Sequence, residues 1–247
     1  DRVAQTPAVH ALVRRLEAGG ALAYAGVTTA AQPFFAALLH HLFPQRPIVV
    51  VTDNLKTQES FQQDLETWVV LRREANADSR LCPSPRAPRL LFYPAWENLP
   101  HEGKLPHADV ISERLETLVA LASDSGLEAS GPRLVVTRVT ALLQKTFPPG
   151  LLRASTRRLA RGDHSNPLDL VEWLEAQGYE PEAQVTQKGE IALRGGIVDV
   201  FPPTSPWPVR LEFFGDELES LREFDPFTQI SREEITTITL PPAGELG

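Results

Sequence analysis

The turn at residues 26–33 lies where a nucleotide-binding α/β domain has its phosphate loop, directly after a predicted strand. A working loop needs glycines that expose backbone N–H groups to the phosphates, a lysine for the β and γ oxygens and a hydroxyl for Mg²⁺. Gly26 keeps the first glycine, but Ala31, Gln32 and Pro33 occupy the second glycine, lysine and hydroxyl positions. We therefore predict that this loop is inactive, whether it is a degenerate phosphate loop or an ordinary βα turn.

The segment 209–214 combines arginine with two adjacent phenylalanines in a strand-like pattern. Side chains alternate across a strand, so one face carries Val209, Leu211 and Phe213, and the other carries Arg210, Glu212 and Phe214. If the apolar set is buried, Phe214 is exposed between charges, which is typical of the aromatic and arginine anchors of protein interfaces. The alternative is that a neighbouring element covers Phe214. Arg194 precedes a Gly-Gly pair at which a bend would turn its side chain outward.

No constellation of catalytic or metal-binding residues stands out. His101 and His107 flank Lys104 but lack a third ligand at a metal-site spacing, and no nucleophile is paired with a base. The only cysteine, Cys82, rules out an internal disulfide and favours a reducing cytoplasm. We predict a noncatalytic chain with no metal and no cofactor.

The composition is that of a globular protein. Of 247 residues, 42% are hydrophobic and 23% are charged, and no apolar run approaches the length of a membrane span. A net charge of −8 argues against strong nucleic-acid binding, so we expect weak, salt-sensitive DNA contact at most. The clearest basic patch is predicted to be a solvated loop or helix face, and it contains Arg153, Arg157, Arg158 and Arg161.

The order of predicted elements divides the chain into two domains. In the first, strands at residues 21–27, 47–52, 90–93 and 133–137 alternate with helices at 34–42, 57–71, 111–122 and 140–145. This alternation predicts an α/β fold with a mostly parallel sheet covered on both faces. The cluster of two prolines and a glycine at 148–150 breaks the pattern, and we place the end of the first domain at residue 150.

The second domain, residues 151–240, is predicted to be α+β. Asn166 or Ser165 would cap a helix with Pro167 in its first turn, ending at Gly178. Short strands follow at residues 191–194, 197–201, 209–214 and 235–240, which indicates an antiparallel sheet with one helix against it. We expect residues 241–247 to start a return segment to the first domain.

Two separate blocks of sequence resemble one family. Residues 94–100 (PAWENLP), 106–107 and 111–115 (ISERL) resemble the N-terminal region of the bacterial transcription-repair coupling factors, the Mfd proteins. Residues 178–179, 189–190, 194–195, 199–202 and 210–217 follow a pattern shared by that family and the excision repair protein UvrB. The resemblance covers most of the chain from about residue 20 to residue 242.

The resemblance implies a degenerate RecA-like domain of the phosphate-loop type, followed by a smaller α+β domain that binds UvrA. It also implies that Arg194, Arg210 and Phe214 contact UvrA, and that nucleotide excision repair is recruited to stalled transcription. RNA polymerase and double-stranded DNA would bind C-terminal domains that lie outside these residues, and no membrane is involved. The alternative is a UvrB-like, ATP-dependent helicase subunit that verifies damage. It requires a lysine at position 32, where this chain has Gln32.

Overall fold

A computed structural model describes residues 3–77, 89–97, 107–122 and 133–245. The chain divides into two compact units. The first comprises Asp1–Pro94 and Glu128–Leu143, and the second comprises Ala95–Leu127 and Gln144–Gly247. None of the described helices is long and apolar enough to cross a membrane. Cys82, His101 and Lys104 lie outside the described residues, as does part of the first family-like block.

The elements are as follows. The helices are α1 (Pro7–Ala18), α2 (Gln32–Leu42), α3 (Leu55–Ala77), α4 (Ala108–Ala122), α5 (Val139–Leu142), α6 (Pro149–Ala154) and α7 (Pro167–Ala176). The strands are β1 (Ile48–Thr52), β2 (Arg89–Tyr93), β3 (Arg133–Arg138), β4 (Arg157–Ala160), β5 (Glu180–Pro181), β6 (Glu190–Arg194), β7 (Ile197–Val200), β8 (Val209–Phe214), β9 (Glu217–Phe224), β10 (Ser231–Ile235) and β11 (Thr237–Leu240).

The first unit contains a parallel sheet with the strand order β1-β3-β2. Its central strand β3 is buried along almost its whole length and packs with Phe61 and Leu65 of α3. At the carboxyl ends of the strands, the Thr137 hydroxyl donates to the Tyr93 carbonyl at 2.9 Å. The buried Gln58 amide donates to the carbonyls of Tyr93 and Val136 at 3.1 Å each. This unit confirms the predicted α/β class and its parallel strands.

The predicted first strand, residues 21–27, is wrong. The segment makes no strand pairing, and most of it is exposed. Four of its seven residues are alanine or glycine, which have low strand propensity and little side-chain surface to bury. Gly26 has a φ of 91°, and a single 3₁₀ turn over Thr29–Ala31 leads into α2. The expectation that helices cover both sheet faces also fails at β1, where Val49 and Val51 are exposed.

The second unit is α+β, as predicted. Its main sheet has the order β10-β9-β8-β7-β6-β5 and is antiparallel except between β5 and β6, while β4 and β11 form a separate antiparallel pair. Helix α7 begins as expected, because the Asn166 side chain accepts from Leu168 N at 2.9 Å and Pro167 follows. Its buried residues Leu170 and Leu174 pack into the core on one face of this sheet.

Helices α1 and α6 and strands β4, β5, β9 and β10 were not predicted. The predicted basic patch is solvent-exposed, with Arg153 on α6 and Arg161 in a turn as expected, but Arg157 and Arg158 belong to the strand β4. The Arg157 guanidinium lies 4.6 Å from the ring centre of Trp173, and Arg161 forms an exposed 3.0 Å ion pair with Glu234.

A buried polar cluster, here called the Arg114 cluster, joins four segments of the second unit that are distant in sequence. The side chains of Arg114 and Glu245 are almost completely buried; Arg114 Nε is 2.5 Å from Glu245 Oε2, and Nη2 is 2.8 Å from Oε1. The indole Nε1 of Trp96 donates to Glu245 Oε2 at 3.1 Å, and the guanidinium lies 4.7 Å from the centre of the Trp96 ring. Gln144 accepts from Trp96 N at 2.8 Å and from Arg114 Nη1 at 3.2 Å.

The Arg114 cluster places segment 241–245 against residues 96, 114 and 144, all of which our sequence-based limits assign to the first domain. By packing, all of these residues belong to the second unit. The domain limits at residues 150 and 240 stay predictions.

Candidate protein interface

The main sheet of the second unit has one face against α7 and one face that points away from it, which we call the outer face. The alternation predicted for β8 is confirmed. Val209 and Leu211 are buried in the core with α7, and Phe213 is partly buried against the same core. Phe214 is 76% exposed, so no neighbouring described element covers it. The outer face carries Arg194, Asp199, Arg210, Glu212 and Arg222, with Phe214 at its edge.

The two predicted arginines meet on one buried carboxylate. Asp199 of β7 lies opposite Arg210 of β8, and the guanidinium of Arg210 binds it with two hydrogen bonds, Nε to Oδ1 at 2.8 Å and Nη2 to Oδ2 at 2.9 Å. Arg194 Nη2 donates to the same Oδ2 at 2.5 Å. The Asp199 side chain is only 1% exposed, so a buried charge is compensated by two cations in good geometry.

These contacts hold Arg210 more firmly than Arg194. The hydrogen bond to Asp199 raises the pKa of Arg210 above its ordinary value, against an opposing effect of burial. The Arg210 guanidinium also lies 4.8 Å from the centre of the Phe224 ring, which is buried beside Val185. The side chain of Arg210 is 18% exposed, whereas that of Arg194 is 52% exposed. Arg194 therefore presents more of its guanidinium to a partner.

Phe214 lies at the edge of the outer face rather than at its centre. It is opposite Glu217 at the β8–β9 hairpin. Glu212, two residues earlier in β8, lies in one cross-strand row with Ile197 and Arg194. The β6–β7 turn approaches β8 here, because Phe213 N donates to Gly196 O at 2.8 Å. A Cβ atom at Gly196 would lie 2.8 Å from the Phe213 carbonyl oxygen, so this position requires glycine. Its neighbour Gly195 has a φ of 64°.

Asp199 was missed by sequence reasoning, although the sequence contains a signal for it. It is an acidic residue within an otherwise apolar strand, and alternation places it on the same face as Arg210 of the next strand. Arg222 was also missed, because β9 was not predicted. Strand pairing identifies both residues, whereas the pattern of a single strand does not.

The remaining residues considered in the sequence analysis are the positions of the inactive phosphate loop and His107. Gln32 and Pro33 start α2, with Pro33 buried in its first turn. Proline has no N–H to donate at this helix end. His107 lies 3.3 Å from Asp109 in an exposed pair. Within the described residues, no group of three or more His, Cys, Asp or Glu side chains could hold a metal ion.

The chain is similar to known proteins over most of its length. Residues 158–246 match the family model of the UvrB interaction domain. A transcription-repair-coupling factor of Haemophilus influenzae is 34% identical over 196 residues, covering 78% of this chain and 17% of the relative. Its namesake in Myxococcus xanthus is 33% identical over 235 residues, covering 95% of this chain and 18% of the relative. The chain thus spans less than a fifth of the length of these relatives. The matched family model includes the whole outer face.

Proposed function

The chain is homologous to a part of the transcription-repair coupling factors and carries a UvrB interaction domain, and from this premise we propose that it recruits UvrA to nucleotide excision repair. In the longer protein, RNA polymerase and double-stranded DNA would be bound by regions beyond these residues. The chain itself acts without catalysis, and its first unit is a degenerate RecA-like domain.

The observation that supports this proposal is the arrangement of the outer face within the matched region. Asp199 holds two arginine side chains in place in the free protein. These side chains therefore lose less conformational entropy when a partner binds. Arg194 and the exposed Phe214 then offer a planar cationic fork and an aromatic anchor, the residue types that dominate interface energies. We propose that Arg194, Arg210 and Phe214 contact UvrA.

A direct binding measurement tests the proposal. The chain should bind purified UvrA, and Arg194→Ala should weaken binding by about 1–3 kcal/mol, as expected for an interface hot spot. Arg194→Lys should restore only part of the affinity, because an ammonium lacks the bidentate fork. Arg14→Ala, an exposed change in the other unit, is the control and should bind like the wild type. The absence of any UvrA binding by the wild-type chain would refute the function.

The chain is also expected not to bind ATP. Gln32 and Pro33 replace the cation and the Mg²⁺-binding hydroxyl of a phosphate loop, and no paired strand precedes the turn in the described structure. Calorimetry with MgATP should show no binding, and Gln32→Lys should not restore it, because Ala31 and Pro33 remain. A micromolar dissociation constant for the wild-type chain would contradict this prediction and favour a UvrB-like enzyme.

A further inference from the structure

Arg222 lies in the same cross-strand row as Asp199, the carboxylate that binds both Arg194 and Arg210. Asp199 is opposite Arg210, and Arg210 is opposite Arg222. Directly opposite residues of antiparallel strands share a face, with Cβ atoms about 4.5–5.5 Å apart. Arg222 is exposed and therefore belongs to the outer face, next to an arginine of the same charge.

The carboxylates around Arg222 are already bound by other groups. Asp199 is bound by Arg194 and Arg210. Glu234 of β10 lies opposite Arg222 on its other side, but its Oε1 accepts from Arg161 at 3.0 Å. In the neighbouring row, Glu212 accepts from the Ser220 hydroxyl at 2.5 Å. Among the described residues, no carboxylate lies within ion-pair distance of Arg222.

The cross-strand row of Asp199, Arg210 and Arg222 therefore carries surplus positive charge. The row and the side chains bound to it contain four arginines, at positions 161, 194, 210 and 222, and two carboxylates, Asp199 and Glu234. In this row and the side chains bound to it, four positive charges oppose two negative ones, although the net charge of the chain is −8. Like charges directly opposite each other destabilise a sheet, and an incoming carboxylate would relieve that repulsion.

Building on the proposed function, we infer that Arg222 is a further UvrA-contacting residue and that it pairs with a carboxylate on an acidic part of the UvrA surface. The fixed guanidinium of Arg210 beside it adds attraction for the same anion. Charge complementarity of this kind accelerates association and is weakened by salt. The partner surface is thus predicted to be acidic opposite the β8–β9 row and apolar opposite Phe214.

The test compares UvrA binding by the wild-type chain and by Arg222→Ala, Arg222→Lys and Arg222→Glu, at low and at high salt. We expect Arg222→Ala to weaken binding about 5-fold to 20-fold and Arg222→Glu about 50-fold or more, mainly through slower association. Arg222→Lys should lose less than Arg222→Ala, and all the differences should shrink at high salt. Arg14→Glu makes the same charge change in the other unit and should stay within about 2-fold of the wild type.

The outcomes separate the two proposals. If the wild-type chain does not bind UvrA, the proposed function fails. If the wild type binds and Arg194→Ala weakens it, but the Arg222 variants bind like the wild type, the role of Arg222 is overturned and the recruiting function stands. Circular dichroism of each variant identifies a folding defect. Should Arg222→Glu be misfolded, the comparison of Arg222→Ala with Arg222→Lys decides.

Discussion

Replacing Arg114 by alanine is expected to lower the free energy of unfolding of the second unit by about 3–5 kcal/mol. The change removes one partner of a buried ion pair and leaves the buried Glu245 carboxylate without its cation. It also removes the guanidinium packed on Trp96 and one hydrogen-bond partner of Gln144. Removing the cation therefore disturbs every other member of the Arg114 cluster.

Denaturant titration measures this effect. Three of the four tryptophans, at positions 96, 173 and 207, belong to the second unit, so their fluorescence mainly reports its unfolding. A double-mutant cycle with Glu245→Ala should show that the two costs are not additive, with a coupling of about 1–3 kcal/mol. The exposed control Arg14→Ala should change stability by less than about 0.5 kcal/mol. A cost below about 1 kcal/mol for Arg114→Ala, or simple additivity in the cycle, would show that the cluster does not stabilise the fold.

The Arg114 cluster also shows where sequence reasoning ends. Periodicity predicted the helix that became α4, with Leu115 on its apolar face, and Arg114 lies next to that residue. It did not predict that a charged residue would be buried, because the compensating carboxylate follows 131 residues later. Local patterns report which face an element buries, whereas the pairing of distant polar groups depends on the assembled fold.

Elements with strong local signals were predicted well. Helix α7 has a capping asparagine, a proline in its first turn and a glycine with positive φ after its end, and each signal acts within a few residues. Strand β9 was missed because it has no continuous alternation of period two. Its register against β8 shifts between Glu212 and Phe213, which leaves Glu219 as an additional residue and puts Leu218 and Leu221 on the same buried face.

The candidate interface was predicted in part for the same reason. Alternation within β8 is a local property, so it placed Phe213 and Phe214 on opposite faces without knowledge of the neighbouring strands. The pairing of both arginines with Asp199 and the position of Arg222 depend on the register of β6, β7, β8 and β9 together. Turns and bulges determine the register of a sheet. The bulge between β8 and β9 was not predicted, because β9 itself was not predicted.

The second large effect is expected at the adjacent phenylalanines, where Phe213 should contribute mainly to stability and Phe214 mainly to binding. Phe213→Ala should lower the free energy of unfolding by about 2–4 kcal/mol. This is somewhat less than the cost of truncating a fully buried phenylalanine, because Phe213 is only partly buried against the core. Phe214→Ala should change stability by less than about 0.5 kcal/mol, since its side chain is exposed.

Binding to UvrA should show the reverse order once both variants are compared under conditions in which they are folded. Phe214→Ala removes the aromatic anchor and should cost about 1–3 kcal/mol of binding free energy, whereas folded Phe213→Ala should retain most of the affinity. Denaturant titration and calorimetric titration with UvrA on the same preparations provide both quantities. Because the two residues are neighbours of the same type, differences in composition or in position along the chain cannot explain opposite responses. If Phe214→Ala destabilised the fold and Phe213→Ala left it intact, the faces of β8 would be exchanged, and Arg194, Arg210 and Arg222 would no longer define an outward-facing surface.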